Sequence, residues 1–384
     1  MQFEFGIPSH VIFGAGCSKQ IGEVVQGFNV QKVLCVYDQG VKAAGIVEQI
    51  VGVLKASNID VVEYDGVLPN PPETVVEEGA KFALEANVET IVAVGGGSSI
   101  DAAKAINILL TNPGPINRYD GLNKVEVPTK PLIAIPTTSG TGSEVTGVTV
   151  VTNTEEKRKM VLAGKHIGAD IALVDPELTY ALPPAVTAAT GMDALTHAIE
   201  AYTSKFASIP ANVNALKAVE LIYNNIEAAY KDGNNLEART NMLLGSMLAG
   251  YAFNSAFLGL VHAIAHPLSA HCGLPHGVAN ACGLPFVMEY NAKDPNVQQK
   301  YSEIAKAMGL DVDGLSAEEG CQKAVEAVKN LAIALDIPSL EKLGVRKDQL
   351  ELLAEETLKE EVSMWATPVD ATKEDVLRLL EKAF

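Results

Sequence analysis

Short apolar runs and longer amphipathic stretches alternate through the first half of the chain. Lys32-Val-Leu-Cys-Val-Tyr-Asp38 is apolar at successive positions, as a strand covered on both faces is, and residues 45–56 carry apolar side chains at helical spacing. Residues 60–65 predict the next strand, 73–86 a helix, 90–94 a strand, 100–110 a helix and 131–135 another strand. Such alternation predicts a parallel, doubly wound sheet. Residues 146–152 and 159–162, separated by a turn at 153–156, predict a hairpin at its end.

The texture changes near Pro183-Pro184, shortly after Asp175-Pro176. From there helical periodicity dominates, at 185–202, 209–232, 236–252, 301–308, 317–335, 347–359 and 373–382. With 384 residues the chain also exceeds one typical core. Two domains are therefore expected, an α/β domain at 1–182 and an all-helical one at 183–384, with the active site in the cleft between them.

One tract needs a separate argument. Residues 240–288 contain no Asp, Glu, Lys or Arg, but Asn241, Ser246, Asn254, Pro267, Pro275 and four histidines interrupt the apolar positions. Polar groups are costly inside lipid, so a buried pair of helices in a water-soluble protein is the expectation, not a membrane span. A net charge of −18 argues against a broad nucleic-acid or anionic-membrane surface. Five scattered cysteines form no disulfide framework or zinc ribbon, and the first residues lack a signal peptide's basic and apolar regions, so a cytoplasmic location is expected.

Two loops carry candidate phosphate chemistry. Gly95-Gly-Gly-Ser-Ser99 joins a predicted strand to a predicted helix, where glycines admit a pyrophosphate and helix N-terminal amides attract it. Pro136-Thr-Thr-Ser-Gly-Thr-Gly-Ser-Glu144 follows a second strand with hydroxyls and glycines. Together they form the expected crevice for a dinucleotide. Gly14-Ala-Gly16 imitates the start of Gly-x-Gly-x-x-Gly, but Lys19 stands at the third glycine position, and a strand-to-helix turn is the better reading. Asp38 closes its strand and suits either a helix cap or a ribose-binding carboxylate that favours NAD over NADP.

Asp193 and His197 lie four apart on a predicted helix and so share a face. Taken alone that pair suits a surface Asp–His contact. Of seven histidines, however, His262, His266, His271 and His276 fall within the uncharged tract. Buried imidazoles without partners are costly, and a divalent transition metal satisfies several at once. Pro267 is expected to kink or break the helix after His266, with Pro275 setting His276 at the next turn.

From Gly95 through Lys104, Pro136 through Thr146, Gly191 through Tyr202, Gly259 through Leu268 and Leu274 through Gly277, the chain resembles the iron-containing (group III) alcohol dehydrogenase family. The resemblance implies a dehydroquinate synthase-like fold, an α/β N-terminal domain with a parallel Rossmann-like sheet and an all-α C-terminal domain. It implies Asp193, His197, His262 and His276 as metal ligands, with His266 lining the site. It implies NAD(H) held by Asp38, Asn70, Gly96, Gly97, Ser98, Thr137, Thr138, Thr141, Thr146 and Lys159, and Phe253 bordering the substrate pocket. Fe2+ is the implied metal, although three imidazoles and a carboxylate also suit Zn2+ and other divalent transition ions.

The chain departs from the family pattern at Ser269, at His271-Cys272 and at Ser363-Met-Trp-Ala-Thr-Pro368. The expected reaction is hydride transfer between NAD(H) and a small primary alcohol or diol, interconverted with its aldehyde. His266 or His271 relays the proton. The resemblance also implies a homo-oligomer, a dimer or larger. Three alternatives are a cyclising lyase of the dehydroquinate synthase type, a polyol-phosphate dehydrogenase and a redox-inactive NAD-binding assembly subunit. The first two need Lys and Arg beside a phosphorylated substrate, which the tract at 240–288 does not supply.

Overall fold

A computed structural model describes residues 3–384. The chain divides into two compact units, Ile7–Leu182 and Pro183–Phe384, and the segment ending at Gly6 belongs to the second. Asn254 Nδ2 donates to Gly6 O at 3.0 Å within that second unit.

In the first unit the elements run β1 (His10–Phe13), α1 (Ile21–Gln26), β2 (Lys32–Asp38), α2 (Gln39–Ala43), α3 (Ile46–Ala56), β3 (Asp60–Val67), α4 (Glu73–Ala86) and β4 (Thr90–Gly95). They continue with α5 (Gly97–Thr111), β5 (Gly121–Leu122), β6 (Leu132–Pro136), β7 (Val148–Asn153), β8 (Arg158–Ala163) and β9 (Ile171–Val174). Six strands form a sheet in the order β1-β9-β6-β4-β2-β3, every neighbouring pair parallel.

Why the central strands read as unbroken apolar runs follows from their two faces. Leu34, Val36, Ile91, Ala93, Leu132 and Ala134 enter one core, while Val33, Cys35, Val92, Val94, Ile133 and Ile135 enter the other. Strands β1 and β9 were not evident in the sequence. Each has four residues, too few to establish a period. The predicted hairpin forms, β7 pairing antiparallel with β8, and β5 adds a third strand to it.

From β2 the chain winds outward to β3 and then returns to β2's other side as β4. The winding therefore reverses between β2 and β4, the switch point at which open α/β sheets bind ligands outside the strand carboxyl ends. Asp38, Gly95 and Pro136 stand at those ends.

The second unit is helical: α6 (Pro184–Thr203), α7 (Ile209–Lys231), α8 (Leu236–Ala256), α9 (Leu260–Cys272), α10 (His276–Asn291), α11 (Pro295–Ala307), α12 (Ala317–Ala334), α13 (Leu350–Thr357), α14 (Glu361–Ala366) and α15 (Lys373–Ala383). One apolar core joins α6 to α13 and α15. Among the described residues no single helix is long and apolar enough to cross a membrane. Helices α8 and α9 meet that test only as a pair, bent by 102°.

Of the two outcomes expected at Pro267, a kink or a break, the helix does not break. α9 continues through it to Cys272 and stops at Gly273, whose φ of +70° ends the helix. A proline removes one amide, and the rest of this 13-residue helix retains its bonds. The uncharged tract also spans three helices, most of α8, all of α9 and most of α10, instead of two.

Candidate metal centre and cofactor loops

Between Pro184 and Thr203, α6 carries only two charged residues, Asp193 and Glu200, both buried. Asp193, His197 and Glu200 recur at four and three residues, so they share the face turned into the core. A surface Asp–His pair is thereby ruled out: Asp193 and His197 are 2% and 3% exposed. Helix α9 supplies His262 and α10 begins at His276. Gly277 permits that arrangement, because a Cβ there would come within 2.6 Å of Ala189 O on α6.

Ligand-type atoms of Asp193, His197, His262 and His276 all lie within 4.8 Å of one another. Asp193 Oδ1 is 3.8 Å from His197 Nε2, 4.0 Å from His262 Nε2 and 3.9 Å from His276 Nε2. The Asn280 amide nitrogen contacts three of these atoms, at 2.6 Å from Asp193 Oδ1, 3.0 Å from His262 Nε2 and 3.1 Å from His276 Nε2. Their lone pairs thus converge on one small volume. Burial drives the imidazoles of His262 and His276 well below the ordinary histidine value, and neighbouring imidazoles add to the effect. Neutral rings are the form that ligates. One carboxylate and three neutral imidazoles fit a divalent transition ion, whose bonds to N and O run about 2.0–2.2 Å.

The surroundings hold these side chains in place. Glu200 Oε2 lies 2.6 Å from His262 Nδ1, and Glu200 Oε1 accepts from Val261 N at 2.7 Å. Burial pushes the Glu200 carboxyl up to about 7, opposed by the Val261 and Gly259 amides and by His197. His266 stands outside the four donors, its ring stacked 5.5 Å from that of His276 and its Nδ1 2.7 Å from Glu360 Oε2. His271 lies in the last turn of α9 and is not among the clustered donors. Phe253 on α8 sets its ring 4.6 Å from the His197 ring. Beyond it, Phe257 breaks α8 from α9 at φ +60° and ψ −179°, a conformation that costs a non-glycine residue about 1–3 kcal/mol.

In the α/β unit, β4 and β6 run side by side with Gly95 opposite Pro136, so the two glycine-rich loops leave the sheet together. Gly96 caps α5, which begins at Gly97. A Cβ on Gly96 would meet Thr138 Cγ2 at 3.1 Å, and one on Gly97 would meet Thr141 Cγ2 at 2.5 Å. These glycines therefore let one loop press on the other, besides exposing the helix N-terminal amides. Gly96, Gly97, Ser98, Thr138 and Thr141 are half-buried, whereas Thr137 and Thr146 are buried.

Asp38 satisfies the capping alternative in full: Oδ1 accepts from Gly40 N at 2.8 Å and Val41 N at 3.1 Å, and Oδ2 from Ser99 Oγ at 2.8 Å. Lys159 Nζ donates to Asn70 Oδ1 at 2.8 Å and Thr152 Oγ1 at 2.9 Å, which brings together two of the expected cofactor residues. The Gly14–Gly16 segment is a turn whose Gly16 N–H donates to Asp175 Oδ1 at 2.9 Å.

Sequence reasoning missed Glu200, Asn280, Glu360 and Lys104. Two left a readable signal: Glu200 is the second charge on a helix face that already carries Asp193 and His197, and Asn280 is one turn beyond His276. Glu360 left none, since its partner His266 is 94 residues away.

Comparisons with known proteins cover nearly the whole chain. Residues 8–176 match the family described as iron-containing alcohol dehydrogenase, and residues 187–384 match its C-terminal part. Alcohol dehydrogenase 4 of Saccharomyces cerevisiae is 40% identical over 381 residues, covering 99% of this chain and 98% of its own. A 1,3-propanediol dehydrogenase of Klebsiella pneumoniae is 39% identical over 386 residues, covering 100% and 99%. The crystal structure of a 1,3-propanediol oxidoreductase superposes with a TM-score of 0.96 at 39% identity, over 100% of both chains.

Proposed function

The chain belongs to the iron-containing alcohol dehydrogenase family and is an NAD-dependent oxidoreductase acting on CH–OH groups; we propose that its substrate is a small, uncharged primary alcohol or diol and its metal Fe2+. The observation that carries this reading is the clustering of one carboxylate and three imidazoles beside the Phe253 ring, Asp193 and His197 from α6 and His262 and His276 from a stretch, 240–288, that is free of Lys and Arg. A phosphorylated substrate needs cationic partners that this stretch does not supply.

Asp193, His197, His262 and His276 are the residues we assign to the ion. When bound it supplies Lewis-acid chemistry, lowering the pKa of an alcohol and polarising a carbonyl. Phe253 offers an apolar wall to the carbon skeleton. His266 carries the proton: with Nδ1–H donated to Glu360, its Nε2 is the atom that takes it up. NAD(H) is assigned to the switch-point loops with Asp38, Asn70 and Lys159, where the free amides of the helix N-terminus at Gly97 would supply hydrogen-bond donors for its phosphates.

An anaerobic panel of alcohols, diols and aldehydes, run with NAD and NADP on Fe2+-loaded protein, tests the reading. Turnover is expected with short unbranched alcohols or diols. A preference for phosphorylated polyols would overturn the substrate assignment, and full activity in metal-stripped protein would overturn the metal. Asp38→Ser separates its two roles, since serine still caps a helix but carries no charge. The NADP-to-NAD ratio of kcat/KM is expected to rise about 10-fold or more as repulsion of the 2′-phosphate disappears. An unchanged ratio would leave Asp38 a cap alone. Its five cysteines are free thiols, which supports a reducing, cytoplasmic setting. A homo-oligomer is the assembly we expect by light scattering.

A further inference from the structure

A neutral imidazole carries a proton on one ring nitrogen and a lone pair on the other, and only the bare nitrogen can ligate. In His262, Nε2 faces Asp193 Oδ1 at 4.0 Å and the Asn280 amide nitrogen at 3.0 Å, so Nε2 is the atom that must be bare. What Nδ1 meets decides the matter. It meets Glu200 Oε2 at 2.6 Å, in a pair whose side chains are 1% and 7% exposed. Glu200's other oxygen is engaged by the Val261 N–H at 2.7 Å. That backbone donor cannot reorient, so the position of Oε1 must always hold an acceptor.

We propose that Glu200 is a positioning residue that fixes His262 as its Nδ1–H tautomer and so keeps Nε2 bare toward the donor cluster. The proposal rests on the assignment of Asp193, His197, His262 and His276 as metal ligands. Its consequence is specific. In Glu200→Gln the Val261 N–H holds the amide oxygen, which turns the NH2 group onto His262 Nδ1. Nδ1 must then accept, the ring proton sits on Nε2, and the ligating atom is blocked. Glu200→Ala removes the acceptor without imposing a donor, so His262 is free to adopt either tautomer. A space-filling role would place Gln nearer to wild type than Ala. Tautomer control predicts the reverse order for metal affinity, while stability keeps the first order because Gln still pairs the Val261 amide.

The experiment uses full-length, metal-stripped wild type, Glu200→Gln, Glu200→Ala and His262→Ala. Fe2+ affinity is measured anaerobically by equilibrium dialysis, and histidine tautomers by 15N NMR of the metal-free forms. Glu200→Gln is expected to bind Fe2+ about 10–100-fold more weakly than wild type, the usual range for losing a carboxylate behind a ligand histidine. It is also expected to bind more weakly than Glu200→Ala, with a higher unfolding midpoint. The resonance missing from His262→Ala should report a bare Nε2 in wild type and a protonated one in Glu200→Gln. Equal or tighter Fe2+ binding by Gln than by Ala would overturn the proposal, as would a protonated Nε2 in wild type. Wild-type affinity in His262→Ala is a separate result: it would remove His262 from the ligand set, and the proposal with it.

Discussion

His262→Ala is expected to lose the metal and turnover together, with kcat/KM falling about 10³-fold or more, equivalent to roughly 4 kcal/mol of transition-state stabilisation. The substitution deletes one of the four clustered donors and leaves the buried Glu200 carboxylate without its imidazole partner. No neighbouring side chain replaces the lost nitrogen, because His266 is already hydrogen-bonded to Glu360 and lies outside the cluster. Metal analysis after dialysis, beside steady-state kinetics, checks both halves. His266→Ala is the contrast: it should keep stoichiometric metal while altering the pH profile of kcat. If His262→Ala retains stoichiometric metal and full activity, the ligand assignment is wrong.

Lys104→Met is the largest stability effect expected, a loss of about 3–5 kcal/mol in the α/β unit. Lys104 is 1% exposed, and its ammonium donates to Ser143 O at 2.6 Å, Thr146 O at 2.8 Å and Val148 O at 2.7 Å. One side chain thus ties α5 to the end of the second glycine-rich loop. It also offsets the buried Asp101 carboxylate, which burial pushes up and Lys104 draws down. Methionine fills the space but leaves three carbonyls without their donor and removes the positive charge beside Asp101, which keeps only its bonds from Ser143 Oγ and Val150 N and the more distant Lys159. With the loop released, KM for NAD is expected to rise about 10-fold, while Fe2+ uptake by the helical unit stays at the wild-type level.

The same lysine has a defined pH signature. Burial draws its pKa down from the ordinary 10.5 to about 8. Between those values the unfolded chain holds a proton that the folded chain has released, so this group's contribution to stability rises with pH there, by up to roughly 3 kcal/mol. Below pH 8 both states are protonated and the dependence vanishes. Denaturant unfolding of wild type and Lys104→Met across pH 7 to 11 (about the range in which lysine titrates) checks the sign. The difference in stability should widen with pH in that window. A constant difference would show that Lys104 does not titrate there.

How much of this was legible depended on distance along the chain. Asp193 and His197 are one helical turn apart, and the glycine-rich loops directly follow their strands, so periodicity and local composition reveal both. The central strands announced themselves because two cores cover them. Four-residue β1 and β9 did not, and Pro267, which locally allows a kink or a break, left open that α9 continues to Cys272. Asp38 shows an intermediate case. Its position suggested both a cap and a ribose contact, and the hydrogen bonds from Gly40, Val41 and Ser99 show the cap at work without removing the charge.

By itself the sequence determined the class of fold, the change from α/β to helical texture near residue 183, and a donor set rich enough for a divalent metal. These are short-range properties, written in spacing and composition. Only the tertiary structure decided which donors meet. It turned Asp193 and His197 inward, brought the first turn of α10 against α6 at Gly277, left His266 to Glu360 and set Glu200 behind His262 across 62 positions. The physical reason is that burial and long-range packing fix which face a side chain occupies and which ring nitrogen is free, and neither is encoded in the residues beside it.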